Sequence, residues 1–384
     1  LSFGTVPHDP STSGTSTELL TVNSVFTMHR LPVPPPYPPA SMEHTAVAET
    51  NASGSFARTD SVHRHCIGDA SYPPVAGRYL LVCAYACPWA HRCLIVRALL
   101  GLEAALPLTT VHPTWQRTSP NTDNHSGWVF RKPTDPPVLH PSQKTHVKCD
   151  NDCIPPPPQY QDRWTSVRSI YETSASSGAT GPKDIKFTVP LLYDMHTNAI
   201  VNNESSEIMR MLADPRLLGQ FATKNTALVL RPTPLLACIE QTNQWVYTQI
   251  NNGVYKCGFA TSQDAYNTAA DDLEAGLVRA NQLLAQSKYL CTQRHFTEAD
   301  IRLFVTLIRH DEVYCVYFKT NHCPIVGSDR FPHLVRYLKD LLSVPEIRAT
   351  VKMKHIKWHY YTSHPSLNVY GIVPKGRDVL RSLL

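Results

Sequence analysis

No apolar run in the 384-residue sequence approaches the length that crosses a bilayer, so no membrane partner is expected and the chain reads as soluble. There is also no basic stripe and no basic–aromatic interleaving. A net charge of +5 is mild for this length, so nucleic acid is not an expected partner either. The cysteines number 11, an odd total, and they are scattered rather than set in a short-domain framework. That excludes a disulfide scaffold and favours a reducing, cytoplasmic setting. Residues 1–55 lack a secretory apolar region. They are rich in Ser, Thr and Pro, poor in acids, and contain Arg30 as their one arginine. This composition reads as disordered, and it leaves open a linker, an organelle-targeting segment, or sequence upstream of a start at Met28.

What is present centres on residues 78–103, RYLLVCAYACPWAHRCLIVRALLGLE. Residues 79–84 are a short apolar run suited to a buried strand. Beyond Cys87-Pro88, the positions Ala90, Leu94, Val96, Ala98, Leu99 and Leu100 recur at roughly helical spacing. Proline suits the first helical turn, so Cys87 falls where a strand ends and a helix begins. Unpaired N–H groups and the positive end of the helix dipole favour a thiolate there, and His91 and Arg92 offer further positive charge. Position 90 is Ala rather than Cys, so a local disulfide is excluded and any mixed disulfide has to be resolved by a partner thiol. Cys149 and Cys153 frame an Asn/Asp cluster, with His63, His65 and Cys66 as the nearest complement. Neither spacing matches a structural zinc pattern, so no metal is expected.

In chain order, residues 56–77 form an irregular lead-in. The run 108–112 is a second strand, parallel to the first through a right-handed crossover. Residues 113–161 are loop-rich, with a Pro-rich insertion near 131–161 and one apolar island, 126–130, around Trp128. A short helix is expected over 163–172 and a strand over 186–194, whose Pro190 restricts it to an edge or a strand start. Another strand spans 199–201, and a helix follows that Asn, Ser and Glu residues at 202–207 would cap. From 231 the pattern is helical only, near 236–252, 264–287, 297–314, 332–343 and 345–352. Thr297 to Asp300 has capping-box form, with Phe296 and Ile301 as a possible staple. The aromatic, basic tail 355–377 reads as irregular but too apolar to hang free. The expected organisation is a disordered or linker segment over 1–55, an α/β domain over 56–215 and an all-α domain over 230–376.

These features together resemble cytosolic glutathione transferases, with a thioredoxin-like N-terminal half and an all-helical C-terminal half. Cys-Pro-x-Ala is similar to the omega-type, thiol-using branch. A closer resemblance is to the glutathionyl-hydroquinone reductases, also called xi-class glutathione transferases. It is carried by ACPWAHR (86–92), SGW-F (126–130), TVP-L-YD (188–194), IVNNES (200–205), NNGVYKCGFA (251–260), EADIRLFVTLIRHDEVY (298–314) and HIKWHYYTSH…GIVPKG (355–376). The likeness spans roughly residues 56–376.

The resemblance implies that Cys87 is the nucleophile and that glutathione is the co-substrate, with no metal. It implies that Pro190 is cis and presents the Val189 backbone to the cysteinyl part of glutathione. Glu204 and Ser205 would hold the γ-glutamyl end, and Trp128 would lie over the tripeptide. Lys186 stands where the family has Arg, replacing a planar fork with a point charge for the glycyl carboxylate. Tyr255 and Tyr314 would bind the hydroquinone oxygens and take part in catalysis. Arg309 would orient that site or pair with Asp311 or Glu312. Tyr317 replaces a usual His, and homodimers are implied. The expected activity is reduction of glutathionyl-hydroquinones through a Cys87–glutathione mixed disulfide. The alternatives are an omega-like thioltransferase or dehydroascorbate reductase, and a non-catalytic transferase-like scaffold.

Overall fold

The computed structural model describes residues 49–140, 145–174, 186–365, 367–376 and 378–384; most of the 1–55 segment lies outside them. Strand β1 (Tyr79–Cys83) is buried along its whole length, as its unbroken apolar run requires of a strand covered on both faces. It leads through a tight turn to α1 (Pro88–Leu99) and then β2 (Leu108–Thr110), which pairs parallel to β1 with Leu81 opposite Leu108. Helix α2 (Val167–Thr173) follows, capped by Ser166. Strands β3 (Leu191–Asp194) and β4 (Ala199–Asn202) form an antiparallel hairpin whose turn places Asn198 at φ 54°. The sheet order is β2-β1-β3-β4, and β3 runs antiparallel to β1 with Tyr79 opposite Asp194. Helix α3 (Ser205–Ala213) packs beside α1.

Only part of the expected 186–194 strand joins the ladder. Residues 186–190 stay outside it: the Thr188 N–H donates to Lys186 O at 3.0 Å, Val189 and Pro190 form a bend, and Pro190 has no N–H to give. The described parts of the Pro-rich insertion pair with the fold and with each other. Ile154 and Thr110 exchange bonds beside β2 (Thr110 N–H to Ile154 O, 2.9 Å; Ile154 N–H to Thr110 Oγ1, 2.7 Å). A short ribbon also pairs Val138–Leu139 with His146–Val147.

The helical half comprises α4 (Leu236–Trp245), α5 (Gly253–Phe259), α6 (Gln263–Gln286), α7 (Glu298–Arg309), α8 (Pro332–Leu342), α9 (Pro345–Ala349), α10 (Met353–Thr362) and α11 (Val379–Leu383). Helices α8 and α9 begin with proline at the first helical positions, where its missing N–H costs nothing. Helix α6 buries Ala269, Ala270, Leu273, Gly276, Leu277, Ala280 and Leu284, a helical stripe of mostly small residues that lets α5 and α8 approach. At the start of α7, the buried Asp300 carboxylate accepts from the Thr297 N–H at 2.7 Å, as the capping pattern foretold.

Two expectations about this half are corrected. The chain does not stay irregular through 355–377: residues 353–362 are helical. Tyr, His and Trp are middling helix formers with little apolar–polar contrast, so the period is faint in the sequence. The helix expected to end near 252 instead passes through a wide turn at Val246–Asn251 and resumes as α5. A second wide turn, His310–Tyr314, follows α7.

The two halves pack into one body. Glu298 at the start of α7 lies at their junction, 1 % exposed, and accepts from Arg210 on α3 (2.8 Å), Arg302 (2.8 Å), Arg231 (3.2 Å) and Asn243 (3.0 Å). Burial alone would raise its pKa, but the guanidinium groups outweigh burial and hold the carboxylate below its usual range.

Candidate active site

Cys87 immediately precedes α1 in an extended conformation (φ −73°, ψ 119°), with Pro88 opening the helix. Cys87 is half-buried as a residue, and its Sγ lies 3.4 Å from the carbonyl oxygen of Val189, in the cis Val189–Pro190 pair. The thiol therefore faces the Pro190 segment. Its acidity is another matter. Burial pushes the Cys87 thiol above its ordinary value, while the N–H groups of Ala90 and Trp89 and the charges of Arg309 and Arg58 pull it down without prevailing. The helix-start donors are in place, but the surrounding protein removes more solvation than they return.

The second expected source of positive charge is also only half present. Burial holds the His91 imidazole neutral, with the Arg309 charge acting the same way. Arg309 Nη1 lies 3.0 Å from Nδ1, and Thr350 Oγ1 lies 2.8 Å from Nε2. A guanidinium can only donate, so Nδ1 accepts and Nε2 carries the hydrogen toward Thr350. Arg92 is buried beneath Trp89, 4.6 Å from the ring centre, and donates to Asn251 Oδ1 at 2.8 Å. Burial lowers its pKa to about 9. Cys83 and Cys93 are fully buried with raised pKa values, as inert core thiols should be.

Arg309 makes neither of its expected ion pairs. Asp311 accepts from the Ile325 N–H, and Glu312 pairs with Lys357. Arg309 is wholly buried and donates to the carbonyls of Ala86 (3.1 Å), Tyr85 (2.9 Å) and Val305. It therefore fixes the β1–α1 turn that presents Cys87, and no part of it is left open to a hydroquinone.

Glu204 caps α3. Its Oε1 accepts from the Ser206 N–H (3.0 Å) and hydroxyl (2.9 Å), and the buried Ser205 hydroxyl lies 3.5 Å away. Burial would raise its pKa, but the Ser206 bonds and the charges of Arg92 and Arg64 outweigh burial and keep it ionised. The lead-in segment, given no role by its sequence, crosses this end of the site. Ser61 Oγ reaches Glu204 Oε2 at 3.3 Å, and Lys186 pairs with Glu49 and donates to Thr59 Oγ1 at 3.0 Å. Arg58 bonds Asn252 Oδ1 and lies 4.6 Å from the Trp89 ring centre and 5.1 Å from that of Tyr255. Trp128 is 7 % exposed and stacks on His359 of α10 (4.4 Å, 27°) while meeting Trp115 edge-on. It thus sits at the junction with α10.

Tyr255 and Tyr314 are brought together through a residue that sequence reasoning did not single out. The Tyr360 hydroxyl lies 2.8 Å from that of Tyr255 and 3.1 Å from that of Tyr314. Burial raises the pKa of all three phenols, which keeps them protonated. Phe318 stacks on Tyr314 (5.4 Å, 4°), and Tyr317 bonds His364 at 3.0 Å. Trp89, two residues beyond the thiol, stacks on Tyr255 at 6.2 Å, so the aromatic floor reaches from Cys87 to the phenols. Tyr360 lies within the aromatic tail pattern, but nothing local in that run points it at Tyr255. Two clefts, of about 630 and 420 Å³, are lined by residues such as Arg117 and Trp164, and Met209 and Leu230. Neither includes Cys87.

Two family models match the chain: the glutathione S-transferase N-terminal domain over residues 86–214 and the C-terminal domain over 263–340. The chain is 36 % identical over 343 residues to "Glutathione S-transferase omega-like 2" of Schizosaccharomyces pombe, covering 87 % of this chain and 97 % of that protein. It is 34 % identical over 353 residues to "Glutathionyl-hydroquinone reductase YqjG" of Escherichia coli, covering 86 % and 94 %. The crystal structure of the Xi glutathione transferase ECM4 from Saccharomyces cerevisiae in complex with glutathione matches with a TM-score of 0.71 at 30 % identity, covering 83 % of this chain and 98 % of that one. Placed beside the strand–Cys-Pro–helix turn and the helical half that closes over it, these matches show that the chain belongs to the glutathione transferase family, in its xi class of glutathionyl-hydroquinone reductases.

Proposed function

We propose that the protein reduces glutathionyl-hydroquinones with glutathione as co-substrate. The observation that carries this reading is the Cys87 thiol at a helix start, 3.4 Å from the Val189 carbonyl and joined by Trp89 to a cluster of three protonated tyrosines. The glutathionyl moiety would lie along Val189, with its γ-glutamyl end at Glu204 and Ser205 and its glycyl end toward Lys186. Its sulfur then meets Cys87. Trp128, at the junction with α10, would border the bound tripeptide.

Cys87 thiolate attacks that sulfur and forms an S–S bond as the sulfur–carbon bond breaks. The electron pair passes to the ring carbon, which takes a proton, so the hydroquinone leaves reduced and the two sulfurs are oxidised to a mixed disulfide. A second glutathione attacks the glutathionyl sulfur, frees Cys87 and departs as glutathione disulfide. Tyr255 and Tyr314 hold the hydroquinone oxygens and exchange protons with them, and Tyr360 links the two phenols. Arg309 acts through the turn it fixes. A homodimer in the cytoplasm is the expected working form.

The omega-like names of several relatives support a second reading, thioltransferase or dehydroascorbate reductase activity through the same mixed disulfide. A substrate panel separates the two. Under the main reading, kcat/KM for glutathionyl-menadiol exceeds that for dehydroascorbate and for a small disulfide, and Cys87→Ala abolishes all turnover. Turnover retained by Cys87→Ala would defeat both readings.

A further inference from the structure

Cys149 and Cys153 frame a single turn, and side chains from a distant part of the chain converge on it. Their turn is closed by the Cys153 N–H donating to Asp150 O (3.0 Å) and the Asp152 N–H donating to Asp150 Oδ1 (3.1 Å). It faces the first turn of α10, where His355 Nε2 lies 2.8 Å from Asp150 Oδ1 although 205 residues separate them. A carboxylate oxygen of Asp150, the sulfur of Cys153 and a ring nitrogen of His355 all lie within 4.8 Å of one another. Cys149, whose thiol donates to Asp150 O at 3.8 Å, brings a fourth donor to the same turn. Cys149, Cys153 and His355 are 4 %, 2 % and 1 % exposed, while the Asp150 side chain stays open enough to admit an ion. His63 and His65, the complement nearest in sequence, pack instead on Tyr171 and Tyr72.

We propose that Cys149, Asp150, Cys153 and His355 form a structural zinc site tying the loop beside β2 to α10. Two thiolates, an imidazole and one carboxylate are the donors that suit a borderline-soft divalent ion rather than magnesium or calcium. Charge is balanced: three anionic ligands over one dication leave a single negative charge, and the Lys354 ammonium lies 3.0 Å from Asp150 Oδ2. Four protein ligands leave no open position, so the ion holds structure and performs no chemistry. Both thiols lose their protons to solvent as the two Zn–S bonds form. The other ring nitrogen of His355 is buried without a hydrogen-bond partner among the described residues, so the imidazole is fixed from its Nε2 side and by Tyr85, edge-on at 5.8 Å.

A second group, His310, Asp311 and Cys315, is also close-set, but backbone N–H groups hold both oxygens of its carboxylate. Asp311 accepts from the backbone N–H groups of Ile325 and Val326, and Cys315 donates to Thr320 O. The consequence of the first site reaches the active centre, because α10 carries His359 and Tyr360. The proposal does not depend on the activity assigned above.

The test uses the full chain, reduced and metal-free, titrated with cobalt(II) as a spectroscopic probe. The expected result is one equivalent bound with a thiolate-to-cobalt charge-transfer band, displaced by zinc, and one zinc retained per chain after gel filtration. Cys153→Ser and Asp150→Asn should weaken zinc binding, Cys153→Ser by more than the roughly 10- to 100-fold that losing an outer-shell partner costs. Cys66→Ser and Cys87→Ser should leave the band unchanged. Absence of the band and of retained zinc in the wild-type chain would overturn the proposal. Uptake of glutathione by Cys87, read separately by intact mass, distinguishes failure here from failure of the catalytic reading.

Discussion

At Cys87, desolvation competes with four favourable contributions: two backbone N–H groups and the charges of Arg58 and Arg309. Because burial wins, alkylation of this thiol should speed up with pH through a midpoint above that of an ordinary cysteine. Arg58 is the adjustable contribution, since it is half-exposed and belongs to the lead-in rather than to the core. Arg58→Gln removes a positive charge that stabilises the thiolate, so the midpoint rises. Alkylation by iodoacetamide at neutral pH should then slow by roughly three- to tenfold, one pKa unit being tenfold in thiolate. Superimposable rate–pH profiles would show that the Arg58 charge does not reach the sulfur. The place of Cys87 at a helix start was legible because strand, Cys-Pro and helix are adjacent in sequence. Its acidity was not, because both the burial that raises its pKa and the Arg309 charge that opposes it come from the fold rather than from adjacent residues.

Among the elements, the wide turns after α4 and α7 do what a regular helix would not. Hydrogen bonds from residue i to i+5 keep residues five apart on one side, so Arg309 can hold the β1–α1 turn while Tyr314 faces Tyr360. Such turns leave no mark on a 3.6-residue apolar pattern, and continuous helices were the natural reading of 236–252 and 297–314. Helix α10 was missed for a related reason: in HIKWHYYTSH nearly every position is aromatic or basic, so no polar face contrasts with a buried one. Gly258 on α5 shows how closely these elements approach. A Cβ there would lie 2.1 Å from Cδ1 of Phe318, the ring that stacks on Tyr314. Gly258→Ala should cost about 1–3 kcal/mol in chemical denaturation, the range for overpacking a filled core. It should also lower kcat/KM for glutathionyl-menadiol more than it lowers glutathionylation of Cys87. Equal losses in both would place Phe318 outside the phenol pocket.

For the whole molecule, the candidate site exists only where the two halves meet. The sheet half supplies Cys87, Val189 and Glu204, and the helical half supplies the phenols and the arginine that fixes the thiol's turn. The buried Glu298–Arg210 and His91–Thr350 contacts hold that junction. The two-part architecture was legible because the strand–Cys-Pro–helix start and the helices-only run after 231 are local patterns. The junction was not, since partners such as His91 and Thr350 or Asp150 and His355 are united only by folding. The lead-in likewise showed nothing in its composition of the contacts it makes with Lys186, Glu204 and Trp89. The central claim is that the Cys87 sulfur carries glutathione as a transient covalent adduct. Intact-mass spectrometry of the reduced chain after incubation with oxidised glutathione tests it most directly. The expected result is one added glutathionyl group, mapped by peptide analysis to Cys87 and removed by fresh glutathione; an adduct absent from Cys87, or borne by another cysteine in its place, would contradict it.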